Sequence, residues 1–214
     1  MEKHLFQVTK TARYFTHGKL DANTQFIWII IHGYAQTADS LLTHFEYLGA
    51  EHFVIAPEGL NKFYSRGFSG HPVASWMTSL ERENEIIDYT NYLNSLVNYL
   101  NFTSFTQAKT IVVGFSQGVS TQTRFIEASN FKFNFSIMIA GEIGKEFQEN
   151  LPQKLANIKS LYLVGNQENI LKPEKIELHQ LLFKNTNCAF LTFEGKHEVN
   201  AHAIDEMINF VTKP

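Results

Sequence analysis

Six consecutive apolar residues, Phe26-Ile27-Trp28-Ile29-Ile30-Ile31, constrain this chain more than any other segment. A strand with one face in water alternates apolar and polar side chains, because successive side chains point to opposite faces. This run does not alternate, so both its faces must be covered, and a parallel sheet flanked by helices does that. Further strand candidates lie at 12–16, 52–56, 110–113, 135–139, 161–164 and 189–193. Between them come helix candidates at 38–48, 81–100, 117–129, 173–183 and 199–212. The second is the clearest, since Ile86, Ile87, Leu93, Leu96, Val97 and Leu100 recur at three- and four-residue steps. Strands alternating with helices predict an α/β domain with a mostly parallel central sheet. No repeat or Pro/Gly/Ser linker divides the chain, so residues 1–214 read as a single domain. The one long stretch without periodicity, 57–79, reads as a binding loop or lid.

Charge and composition remove several function classes. Eighteen Lys+Arg stand against 21 Asp+Glu, a net charge of -3, which leaves no positive excess for a nucleic-acid partner. The longest apolar run is far short of the roughly 20 residues that span a bilayer, so no stable membrane insertion is expected. Residues 1–18 mix charge throughout without a secretory apolar core, and the single Cys188 cannot form an intrachain disulfide. Together these predict a cytoplasmic protein. His197 and His202 are five apart rather than the four that align two ligands on a helix, so no metal is expected. Cys188, beside a strand, reads as a small buried residue.

The chemistry starts at Gly114-Phe115-Ser116-Gln117-Gly118, between the strand 110–113 and a helix. Strand, sharp turn and helix form a nucleophile elbow, in which flanking glycines let the chain pass close by and the helix N-terminus faces the serine oxygen. A serine hydroxyl is a weak nucleophile and needs a base within hydrogen-bond reach and a carboxylate to orient that base. Both follow in order, each just past a strand: Gly165-Asn166-Gln167-Glu168, then Glu194-Gly195-Lys196-His197. Ligands of open α/β sheets bind at that edge. Glu142 also follows a strand and Asp205 lies near His197 in sequence, so Glu168 has competitors for the acid. His71, before Pro72, is the weaker competitor for the base. An oxyanion needs two preorganised N–H donors. Gln117 offers one, and Tyr34, in His32-Gly33-Tyr34-Ala35 after the buried strand 26–31, offers the other.

These segments, with Ala56-Pro57-Glu58-Gly59 and Trp76, resemble the phospholipase/carboxylesterase family of α/β-hydrolases, over nearly the whole chain after residue 25. The resemblance implies an α/β-hydrolase fold without a large cap domain and needs no cofactor. It makes Ser116 the nucleophile, His197 the base, Glu168 the orienting acid, and the Tyr34 and Gln117 backbones the oxyanion hole. The chain departs from the family in having Glu168 for Asp, Ala35 for a second glycine, Met77-Thr78 after Trp76, and Asn169-Ile170-Leu171-Lys172 after the acid.

In the 57–79 segment, Phe63, Tyr64, Phe68 and Trp76 either wall an acyl pocket or anchor a surface loop. Arg66 either meets an anionic substrate group or is simply solvated, so Tyr64, Arg66 and Trp76 are the substrate-binding candidates. The expected function is cleavage of a small-molecule carboxylic ester or thioester through an acyl-enzyme on Ser116. The alternative is a non-catalytic protein of the same fold that binds a small molecule or a partner.

Overall fold

Residues 1–213 are described by a computed structural model. The chain runs through β1 (Tyr14–His17), β2 (Phe26–Ile31), α1 (Ala38–Leu42), a 3₁₀ turn at Thr43–Phe45, and β3 (His52–Pro57). A hairpin of β4 (Asn61–Arg66) and β5 (Ser69–Ser75) precedes α2 (Arg82–Tyr99), β6 (Lys109–Phe115) and α3 (Gln117–Ala128). Then come β7 (Phe135–Ile139), the short α4 (Lys145–Gln148) and α5 (Leu151–Leu155), β8 (Lys159–Gly165), α6 (Pro173–Phe183), β9 (Cys188–Phe193) and α7 (Ala201–Thr212).

Seven strands form one sheet in the order β1-β3-β2-β6-β7-β8-β9, all parallel except β1, which pairs antiparallel with β3 at the edge. The apolar run of β2 shows why. Phe26, Trp28 and Ile30 pack on one face with α1 and α7, while Ile27, Ile29 and Ile31 pack on the other with α2 and Phe125 of α3. All six residues are buried. Farther along that second face, Met138, Tyr162 and Val164 of β7 and β8 lie under α4, α5 and α6 through Phe147, Leu151, Leu155 and Phe183. From β2 the chain turns one way to β3 and later returns to the other side as β6. The loops after β2 and β6 therefore flank the point where strand order reverses, which is where a parallel sheet leaves a crevice.

Two expectations are corrected. Residues 57–79 are not structureless, because most of the segment is the β4–β5 hairpin, with Tyr64 opposite Pro72 and Gly67 turning the chain at φ +65. The hairpin hides from a sequence reading because its strands are largely exposed and contain a proline, tolerated in an isolated two-stranded ribbon. The helix expected over 38–48 stops at Leu42 and tightens into the 3₁₀ turn.

Candidate active site

Ser116 sits between β6 and α3 with φ +53 and ψ -116, a backbone strain worth about 1–3 kcal/mol. The surrounding chain holds it there: the Ser116 N–H donates to the Ile139 carbonyl at the end of β7 (2.9 Å), and its own carbonyl accepts from Val119 N–H (3.1 Å). A Cβ on Gly118 would stand 2.1 Å from the Ile31 carbonyl oxygen, so α3 reaches β2 this closely only with glycine there.

Two loops bring His197 and Glu168 to Ser116, and they are stitched to one another. Asn166 N–H donates to the Phe193 carbonyl and Gln167 N–H to that of Gly195, both at 2.9 Å, while Asn166 Oδ1 accepts from Gly195 N–H (3.2 Å). In this frame His197 Nε2 lies 2.9 Å from Ser116 Oγ. Its Nδ1 lies 3.0 and 2.9 Å from the two oxygens of Glu168. The Glu168 side chain is 2% exposed, and Oε1 also accepts from the N–H groups of Ile170 (2.7 Å) and Leu171 (2.9 Å). The segment after Glu168 thus curls over its carboxylate. An ionised carboxylate only accepts, so Nδ1 carries the ring proton and Nε2 faces the serine as acceptor. The imidazole is braced by the Phe115 ring, 5.0 Å away.

The loop after β2 is built on His32. Its Nε2 accepts from Gly59 N–H (2.9 Å) and its Nδ1 donates to the Gly33 carbonyl (2.7 Å), which fixes a neutral ring. Burial pushes its pKa down and outweighs the opposing effects of the Gly33 carbonyl and Glu58. Gly33 N–H is taken by Gln36 Oε1 (3.0 Å), and Ala35 takes a left-handed φ of +57. Among the described residues nothing accepts from the backbone N–H groups of Tyr34 and Gln117. The Gln117 side chain is occupied elsewhere, accepting from Trp76 N–H (3.1 Å) and donating to the Met77 carbonyl (2.8 Å). Behind this loop Glu58, 1% exposed, receives Arg13 through two bonds (2.5 and 2.9 Å) and Ala38 N–H (3.4 Å). Burial pushes the Glu58 carboxyl up, but Arg13, the Ala38 N–H and the charge of Lys62 hold it below its usual range.

The sequence-derived binding candidates lie elsewhere. Trp76 is 1% exposed and props the loop after β2 from beneath, donating Nε1–H to the His32 carbonyl (2.9 Å). Tyr64 and Arg66 stand on the exposed hairpin and Phe68 is fully exposed near its turn; none of them lines the cleft over Ser116. Phe63 touches the Tyr34 ring at 5.3 Å, so of the hairpin's aromatics it serves as an anchor and not as a wall. Glu142 is paired with Lys175 (2.7 Å) and His71 is exposed on β5. Cys188 is half-buried, and burial pushes its thiol up to about 12. Among the described residues no three His, Cys, Asp or Glu side chains gather as metal ligands, and no helix is long and apolar enough to cross a membrane.

A cleft of about 640 Å³ opens over Ser116 and His197, and its lining includes charged residues that the sequence reading missed: Arg82, Arg124, Lys145 and Glu146. One signal was available. Ser116, Ser120 and Arg124 are spaced by four along the start of α3, which puts them on one helix face.

Comparison with known proteins agrees with this architecture. The sequence model of a family described as serine hydrolase (FSH1) matches residues 29–205. Among solved structures, acyl-protein thioesterase 2 of Zea mays superposes with a TM-score of 0.72 at 15% identity, over 94% of this chain and 98% of that one. The esterase PE8 gives the same figures. A carboxylesterase from Mesorhizobium loti reaches 0.70 at 13% identity, with 95% of each chain covered. At these identities the likeness establishes the α/β-hydrolase fold. No curated protein matches in sequence.

Proposed function

Because the chain belongs to the FSH1 family of serine hydrolases, we propose that it hydrolyses carboxylic esters or thioesters through an acyl-enzyme on Ser116, working as one domain. The observation that carries this reading is the unbroken line of contacts from Ser116 Oγ to His197 Nε2 and from His197 Nδ1 to Glu168. Ser116 Oγ attacks the substrate carbonyl carbon while His197 Nε2 takes its proton. Glu168 keeps Nδ1–H in place and stabilises the imidazolium that forms. The negative oxygen of the tetrahedral intermediate is received by the Tyr34 and Gln117 N–H groups, and such a donor contributes about 10²–10³ in rate. The intermediate collapses, the carbon–oxygen or carbon–sulfur bond breaks, and His197 returns the proton to the leaving alcohol or thiol. Water then attacks the acyl-enzyme with its proton passing to His197, the acid departs, and Ser116 recovers its proton.

The fixed features around the serine support this reading in physical terms. The strained elbow, the neutral His32 ring and the fastened Gln117 side chain are all set before substrate arrives, so little reorganisation is left for the reacting step. Esterases and a thioesterase among the structural relatives share the fold. The reading is tested by mass spectrometry after fluorophosphonate treatment, beside Ser116→Ala, followed by matched ester, thioester and amide substrates. A single adduct on Ser116 with ester or thioester turnover is expected. A folded protein that takes no adduct, or one that cleaves the amide faster, overturns it.

A further inference from the structure

The walls of the cleft are charged in a way that an alkyl-ester site does not require. Arg124 projects from the same face of α3 as Ser116 and Ser120, and only 9% of its side chain is exposed. Most of its donors are committed: Nε to Glu146 (3.1 Å), and Nη1 to Tyr89 Oη (3.2 Å) and Met77 Sδ (3.4 Å). Nη2 has no protein partner among the described residues, and it is not one of the sealed unpartnered atoms, so it opens on the cleft that Arg124 lines. Lys145, on the same cleft, is exposed and makes no ion pair among the described residues. The two carboxylates on these walls are already satisfied. Glu146 is shared by Arg82 and Arg124, which outweigh its burial and hold its carboxyl down at about 2, and Glu142 is paired with Lys175.

Building on the hydrolase reading above, we propose that the cleft selects esters or thioesters whose acyl chain ends in a second, free carboxylate, received by Arg124 Nη2 and Lys145 Nζ. A leaving group must sit against His197 to be protonated, which leaves the α3 wall to the acyl chain. Ser116 and Arg124 are two turns apart, about 12 Å of helix rise, and an arginine leans back toward the helix N-terminus. That places its charge near the end of an acyl chain of roughly four to six carbons. Glu146 fixes the guanidinium through Nε, so the free Nη2 is held ready and little side-chain entropy is lost when an anion arrives.

The test compares a mono-aryl glutarate, a five-carbon acyl chain with a terminal carboxylate, against the aryl pentanoate, using the full chain at low salt. The expected kcat/KM ratio favours the hemiester by about tenfold or more, the effect of one charge-assisted hydrogen bond, and falls as salt is added. Arg124→Gln lowers that ratio by about tenfold. Should this variant not fold, Lys145→Glu, at an exposed position, lowers it by about threefold or more. A wild-type preference for pentanoate overturns the inference, as does a ratio that neither variant moves. Neither failure touches the hydrolase reading as long as Ser116 takes the fluorophosphonate; no adduct and no turnover of either ester would sink both.

Discussion

The sequence marks two regions as chemically rich, the loops at the carboxyl ends of the parallel strands and the segment that becomes the β4–β5 hairpin, and the structure treats them in opposite ways. At the strand ends, Ser116, Glu168 and His197 come from three loops that hydrogen bonds fasten to the sheet and to one another. On the hairpin, Tyr64, Arg66 and Phe68 are of equally suitable chemical type and stand in solvent away from the cleft. Residue type alone does not make a site. The end of a buried strand delivers a side chain to a fixed point, while a two-stranded ribbon lacking a second layer delivers it to water.

Substitutions can break or sharpen this contrast, and the largest effect belongs to the acid. Glu168→Gln should lower kcat by about 10³–10⁴-fold, since Nδ1 loses its charged partner, while Glu142→Gln falls far less. Steady-state kinetics on one ester decides it, and equal losses would put the acid in the wrong loop. Next is Trp76→Phe, which strands the buried His32 carbonyl and should cost about 1–3 kcal/mol in urea unfolding. A neutral result would return Trp76 to the hairpin's account.

A pH series probes the strand ends more gently. His32 and His179 are each pushed below the usual histidine range, first by burial, and each accepts a backbone N–H at Nε2. A depressed folded pKa means that the unfolded chain takes up the protons first. The stabilisation is therefore complete above about pH 6.5 and is lost as pH falls below it, by at most about 1.4 kcal/mol per pH unit for each ring. Urea midpoints at pH 7.5, 6.5 and 5.5 should be level across the first pair and drop across the second; a level profile throughout would mean that neither ring is held neutral. Ala35→Gly relieves a left-handed alanine and should gain about 0.5–1 kcal/mol, read as a rise in Tm. Smallest of all, Tyr64→Ala and Arg66→Ala should change kcat/KM by less than about twofold and stability by less than about 0.5 kcal/mol. A tenfold loss of activity in either would bring the hairpin back to the cleft.

What could be read from the sequence divides along the same line. β2 and β7 fall where the apolar patterns put them, and α7 does so from Ala201 onward, because burial on two faces or on a helical stripe writes itself into composition. The loops that meet at Ser116 were legible because each follows a strand of the central sheet and is punctuated by glycine. The hairpin was not, since its largely exposed strands place little demand on residue type. Nor were α4 and α5, four and five residues long and too short to show a helical period. Arg124 escaped for another reason: a charged residue in a helix reads as solvated until Tyr89, Met77 and Glu146, distant in sequence, are seen to enclose it.

The backbone angles of Ser116 have a practical consequence. No isolated peptide would hold φ +53 and ψ -116; they persist because the ends of β2, β6 and β7 clamp the turn together. The reactivity proposed for this oxygen is thus a possession of the assembled sheet and not of the pentapeptide that carries it. A covalent probe for the serine then serves as a census of folded molecules: along a denaturant series, labelling should vanish with the sheet, so that a chemical readout at one atom traces the cooperativity of the whole chain.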